Sequence, residues 1–139
     1  MALLLKISPD QFSIECTSVA KRLSDKNLRQ QDVGQIVYVW FTDGGEHQSQ
    51  LFGRGILRTL ETSQIPQKGN STKSTEGYVV SLSDFENNVT RPLLTDELEP
   101  FRYEPESSPM YLLGKLHENR NERIVRVPVD ADAVFASRF

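Results

Sequence analysis

The sequence predicts a mainly β member of the α+β class: a small, mixed β-barrel of about five to six strands with short peripheral helices. Three observations carry this. Short apolar runs bounded by Gly, Pro, Asp and Asn recur along the chain, as strands between turns do. They follow one another too closely for the crossover helices that a parallel sheet needs. And 139 residues, 37% hydrophobic and 25% charged, fit a single soluble domain spanning 1–139, with no repeat, heptad run or interdomain linker.

The elements follow in order. Ala2 to Ile7 is an apolar first strand, ended by Ser8-Pro9. Ser8 is suited to cap a helix with Pro9 at its first position and Asp10 in its first turn. Phe12, Cys16, Val19, Ala20 and Leu23 recur at spacings of three and four, which predicts that helix. A polar bridge from Leu28 to Asp32 leads through Val33-Gly34 to the second strand, Gln35 to Thr42. Asp43-Gly44-Gly45 supplies the positive φ angles of a hairpin turn, and the third strand runs from about Ser49 to Leu60. Residues 62–76 read as a flexible loop, since Gln67 to Thr75 holds no large apolar residue. Gly77 to Ser83 returns to strand. Short helices are expected at Thr95-Asp96-Glu97-Leu98 and from Ser108-Pro109 through Leu116. Arg123 to Val129 is a last strand, and Asp130 caps a closing helix that buries Val134 and Phe135.

The second and third strands hold the feature that points to a binding site. Ile36, Tyr38 and Trp40 share one face of the second strand, and Val37, Val39 and Phe41 the other, so both faces are covered. Trp40 is the only tryptophan. In the third strand Gly53 and Gly55, flanking Arg54, leave bare backbone on one face. An aromatic strand beside a bared one opens a slot for a flat ligand, with Trp40, Phe41, Gly53, Arg54 and Gly55 as candidate ligand-binding residues.

Charge narrows the partners. A net charge of −3 gives no global basic field, so bulk coating of nucleic acid is disfavoured. Positive charge is local instead: Arg58 shares a strand face with Arg54, and Lys68 and Lys73 in the predicted loop are candidates for contact with a phosphate backbone. The two histidines, His47 and His117, belong to no metal-ligand spacing, and Cys16 is the single cysteine, so neither a metal nor a disulfide is expected. Gly53-Arg54-Gly55 lacks the Lys-Ser/Thr of a phosphate loop, no catalytic triad can be proposed, and no cofactor is expected. The apolar opening stops at Lys6, too short for a signal peptide or a spanning helix, which with one cysteine suits the cytoplasm and no membrane partner.

The order of pieces resembles a known family. Leu4-Leu5-Lys6-Ile7-Ser8-Pro9-Asp10-Gln11-Phe12-Ser13-Ile14 is similar to the opening of EVE domains, where a strand ending in Lys-Ser-Glu-Pro-Asp precedes an aromatic and Ser-Ile. Val33 to Trp40 resembles the family's Val-Gly-Asp strand, and Phe52-Gly53-Arg54-Gly55-Ile56-Leu57 its following strand with small residues. Arg91-Pro92-Leu93-Leu94, a short helix, an apolar helix and a valine-rich strand follow its later order. The family's Trp-Asp-Gly-Val-Arg-Asn-Tyr segment has no counterpart between Ile14 and Gln31. EVE domains are PUA-like barrels, related to YTH and ASCH domains, and are regarded as readers of modified bases in DNA or RNA. The resemblance implies pocket roles for Lys6 and Ser8 at the end of the first strand and for Trp40 as a wall.

The expected function is therefore non-catalytic recognition of a modified nucleobase in DNA or RNA. The base is extruded, stacked on a ring and held with help from a basic rim. Two other readings stand beside it. One is a protein-interaction module with a filled barrel, marked by a buried Trp40. The other is a small nucleoside-directed hydrolase using Lys6 and a carboxylate such as Asp10.

Overall fold

The computed structural model describes every residue except 1, 23–26, 43–49, 68–69 and 117–121, with backbone alone at 67, 70 and 71. The Asp43-Gly44-Gly45 turn, His47, Lys68 and His117 lie outside the described residues. Among the described residues six strands form one curled, mixed sheet: β1 (Leu3–Ile7), β2 (Thr17–Ala20), β3 (Ile36–Phe41), β4 (Gln50–Gln67), β5 (Asn70–Glu86) and β6 (Arg123–Arg126), in the spatial order β2-β5-β4-β3-β1-β6. Only β1 and β3 run parallel. Helices α1 (Thr95–Leu98), α2 (Tyr111–Gly114) and α3 (Val129–Ala136) are short. The predicted fold class is the one observed.

Alternation along β1 and β3 divides the apolar residues into two cores, because successive side chains leave a strand on opposite sides. Leu3, Leu5, Ile7, Val37, Val39 and Phe41 point into the curl, where they meet Leu57, Tyr78, Val80 and Leu82. Leu4, Tyr38 and Trp40 point outward beneath the helices, against Leu93, Leu98, Leu113, Leu116 and Phe135. Tyr38 ties α3 to the sheet: its ring stacks on Phe135 at 5.1 Å, and its hydroxyl donates to Asp132 Oδ1 at 2.6 Å. Burial and the Asp132 carboxylate together push the Tyr38 pKa upward. The carboxyl end is latched by Arg138, which donates to Glu97 Oε1 at 2.8 Å and to the carbonyls of Pro92 and Val134.

The sheet's two edges, β2 and β6, approach each other without sharing a ladder. Side chains bridge the seam instead. Arg22 Nε donates to the Glu122 carbonyl at 3.1 Å, and Arg126 donates to the Asn27 carbonyl and to Asp32 Oδ2, both at 2.9 Å. Guanidinium groups suit this task, since a rigid fork of donors can satisfy carbonyl and carboxylate acceptors together.

Three expected elements differ. Asp130 does not cap the closing helix but lies in the first turn of α3, whose N-cap is Pro128. The predicted helix after Ser8 is a single 3₁₀ turn, Pro9–Gln11, followed by β2. Ser8 makes no cap; its hydroxyl is committed elsewhere. The three-and-four spacing that suggested a helix comes from Phe12 turning inward before the strand begins and from Val19 turning inward within it. Cys16 is exposed rather than on a buried helix face. The predicted loop at 62–76 is instead the outer half of a long hairpin, in which β4 and β5 stay paired from Glu61 and Val79 out to Gln67 and Asn70. A two-stranded ribbon of Ser, Thr and Gln is held by its backbone ladder and by β-branched threonines, not by a core.

Candidate functional site

The residues expected to form one slot are divided between the sheet's two faces. Val37 and Val39 are the register partners of Gly55 and Gly53, so the bare backbone faces into the curl. Trp40 faces outward and is fully buried, at 0% exposure. The space over the glycines is filled as well. A β-carbon at Gly53 would lie 2.7 Å from Phe85 Cζ and 2.5 Å from the Glu86 carbonyl oxygen, and one at Gly55 would lie 3.2 Å from the Phe85 ring. Gly53 and Gly55 therefore admit Phe85, and Trp40 forms no wall above them. This corrects the slot.

Phe41 belongs to a group of four rings. It stacks on Phe52 with centroids 4.2 Å apart, and Phe12 packs edge-on to both at 5.7 and 6.1 Å. Phe85 completes the group, 5.6 Å from Phe12 and 5.8 Å from Phe52. Phe52 sits where the β3–β4 register shifts between Val39 and Trp40, a bulge that turns its ring to the inner face. Phe41 is buried, while Phe12, Phe52 and Phe85 are half-buried.

The basic candidates separate too. Arg54 is committed: its Nε donates to Glu86 Oε1, and its guanidinium lies 4.3 Å from the Phe139 ring centroid. Arg58 is exposed and donates to Ser81 Oγ at 3.4 Å. Lys73 is exposed on the outer part of the hairpin.

Lys6 and Ser8 do come together, through residues the sequence did not single out. Lys6 is the register partner of Trp40 on β3 and of Arg123 on β6. It is only 3% exposed, and its ammonium donates to the Lys115 carbonyl at 3.2 Å, just past the end of α2. Ser8 Oγ donates to Glu122 Oε1 at 3.1 Å, and the Glu122 carbonyl is the group that holds Arg22. Lys6, Arg22 and Arg123 thus converge where the seam closes. Burial first, then the like charges of Arg123 and Arg22, push the Lys6 pKa down to about 8 from 10.5.

A buried lysine beside two arginines is an expensive arrangement, because desolvation and repulsion both oppose the ammonium. An incoming anion relieves both terms. Phosphate suits it best among common anions, since guanidinium forks match phosphate oxygens and the ammonium adds a point charge. Among the described residues no group of His, Cys, Asp and Glu is placed to hold a metal ion, and no helix is long and apolar enough to cross a membrane. No family model, curated protein or solved structure matches the chain.

Proposed function

We propose that this chain is a PUA-like, EVE-related module that binds a nucleic-acid strand without turning it over. Its phosphate-holding site is the Lys6–Arg22–Arg123 cluster, and a modified base of that strand lies against the half-buried rings of Phe12, Phe52 and Phe85. One observation carries the reading: the guanidiniums of Arg22 and Arg123 both act on the buried Lys6 amine, whose hydrogen bond goes to the Lys115 carbonyl, so positive charge is concentrated at one point of the seam. The rings support it by position. Phe41 is the register partner of Ile7, the residue after Lys6, so the rings gather at the same carboxyl end of β1 as the cluster, on the opposite, inner face of the sheet, and a strand that meets both passes around that end. Fluorescence anisotropy with labelled single-stranded DNA and RNA tests it. Binding that weakens with salt and is lost in Arg123→Gln supports the reading, and saturable binding that ignores both opposes it.

A second reading has its own observation. Trp40 is fully buried and Phe85 covers the glycines, which supports the reading of a protein-interaction module with a filled barrel. That reading predicts no strand binding and a protein partner insensitive to Arg123→Gln.

A further inference from the structure

The outer half of the β4–β5 hairpin stands apart from both cores: no described residue between Leu60 and Tyr78 belongs to either. Its base is held on both edges. The Gln30 side chain donates to the Leu60 carbonyl, and Lys21 meets Glu76 through a backbone hydrogen bond of 3.0 Å and an ion pair of 2.8 Å. From there out to Gln67 and Asn70 no third strand joins the two among the described residues. At about 3.4 Å per residue the ribbon reaches about 20 Å beyond its base.

Its composition suits a polyanion. No acidic residue falls between Glu61 and Glu76, whereas Lys68 and Lys73 do, in a chain whose net charge is −3. Glu76 itself is neutralised by Lys21. Thr62, Ser63, Gln64, Thr72, Lys73 and Ser74 are exposed. Ile65 turns back over Gly77 instead of offering an apolar anchor to a protein, and Pro66, with no N–H, blunts the edge against an added strand. One amide is placed for recognition. Ser74 Oγ donates to Gln64 Oε1 at 3.2 Å, which holds that amide across an exposed face of the ribbon. A glutamine amide matches adenine, accepting from N6 and donating to N7.

We propose that this ribbon enters the major groove of B-form duplex DNA, with Gln64 reading adenine and Lys73 meeting a phosphate. The inference rests on the nucleic-acid reading of the chain and narrows its ligand to duplex DNA. The groove is about 12 Å wide and about 8.5 Å deep, so it admits two paired strands, and the ribbon is longer than the groove is deep. The major groove of A-form RNA is too narrow for side chains to read, which excludes duplex RNA from this role.

The test is fluorescence anisotropy on the full chain with labelled probes: a DNA duplex of alternating adenine and thymine, the same duplex built with 7-deazaadenine, the matching RNA duplex, and a single-stranded oligonucleotide. The 7-deaza base lacks the N7 acceptor of the major groove and leaves charge and minor groove unchanged. Wild type should bind the DNA duplex about tenfold or more tighter than the RNA duplex, and the 7-deaza duplex about tenfold more weakly than the ordinary one. Gln64→Ala should abolish the difference between the two DNA duplexes, and Lys73→Gln should flatten the duplex salt slope by about 0.9. Joining Gln64 to Glu76 through Asn-Gly should lower duplex DNA affinity about thirtyfold or more, while single-strand affinity falls by no more than about tenfold. Gln64 and Lys73 are exposed, so their variants read the ribbon even where the shortened chain fails to fold. Equal binding of the two DNA duplexes by wild type, equal binding of DNA and RNA duplexes, or duplex affinity unchanged by shortening overturns the proposal. So does sedimentation showing a self-associated chain that becomes monomeric when shortened. Loss of single-strand binding with ribbon-dependent duplex binding kept overturns the seam reading and supports the ribbon, so the two failures are told apart.

Discussion

Lys6 and Trp40 are register partners on the two parallel strands β1 and β3, and both are buried on the same face of the sheet, beneath the helices. The pair joins a buried ammonium to the largest of the fully buried side chains among the described residues. Trp40 excludes water from that row, which strengthens every electrostatic interaction Lys6 makes, the repulsion of Arg22 and Arg123 included. The tryptophan acts on the site from behind, as a floor.

Replacing that lysine should therefore stabilise the protein while damaging its function. The folded-state pKa lies below the unfolded one, about 8 against 10.5, so the unfolded chain binds more protons between those values and stability rises with pH across that window. Below pH 8 the full cost of the buried ammonium is present. Lys6→Met removes it. Denaturant unfolding at pH 7 should show a gain on the order of 1–3 kcal/mol, and the difference from wild type should shrink from pH 8 to 10.5. A variant less stable than wild type at pH 7 contradicts the assignment.

The burial of Trp40 has a direct optical readout, since it is the chain's only tryptophan. Its emission should be blue-shifted and resist iodide quenching, and saturating oligonucleotide should quench it little. Red-shifted, readily quenched emission would instead restore Trp40 as an open wall.

The glycines should sort by what their missing β-carbons would strike. Gly114 is the most demanding, with the Phe101 carbonyl oxygen 2.1 Å away, and Gly114→Ala should cost about 3 kcal/mol or more. Gly53→Ala meets the Glu86 carbonyl and should cost about 2 kcal/mol, and Gly55→Ala, with nothing nearer than 3.1 Å, about 1 kcal/mol. Thermal unfolding of the three variants checks the order. An empty slot over Gly53 and Gly55 would make both of those substitutions neutral.

The outer hairpin should be dispensable for folding, because neither core includes a described residue from 65–75. Joining Gln64 to Glu76 through Asn-Gly keeps the Lys21–Glu76 ion pair at the base and supplies a two-residue hairpin turn. The melting temperature should change by no more than a few degrees. If Lys68 and Lys73 contact phosphates, affinity for a strand should fall about two- to tenfold, with a shallower salt dependence.

Much of the scaffold was legible in the residues. Alternation in Val37 to Phe41 announced a strand covered on both faces, and the two cores are that pattern realised. What escaped was held by other forces. β2 is four residues long, too short for its alternation of Thr17 and Val19 to outweigh a chance helical spacing. The outer hairpin is stabilised by backbone hydrogen bonds, which leave no trace in hydrophobic pattern. The site was half legible. Lys6 and Ser8 stood out through the EVE resemblance, but Arg22, Glu122 and Arg123 meet them only because the sheet curls until its edges touch. That contact spans 100 residues between Arg22 and Glu122, and no local signal encodes it.

The central claim is that the cluster at the seam holds a phosphate. The most direct measurement is an anisotropy titration of a single-stranded oligonucleotide over a range of salt, with wild type, Arg123→Gln and Arg22→Gln. One neutralised phosphate gives a slope of log K against log salt of about −0.7, and each substitution should flatten that slope while weakening binding about tenfold. Slopes and affinities indistinguishable from wild type in both variants would contradict the account.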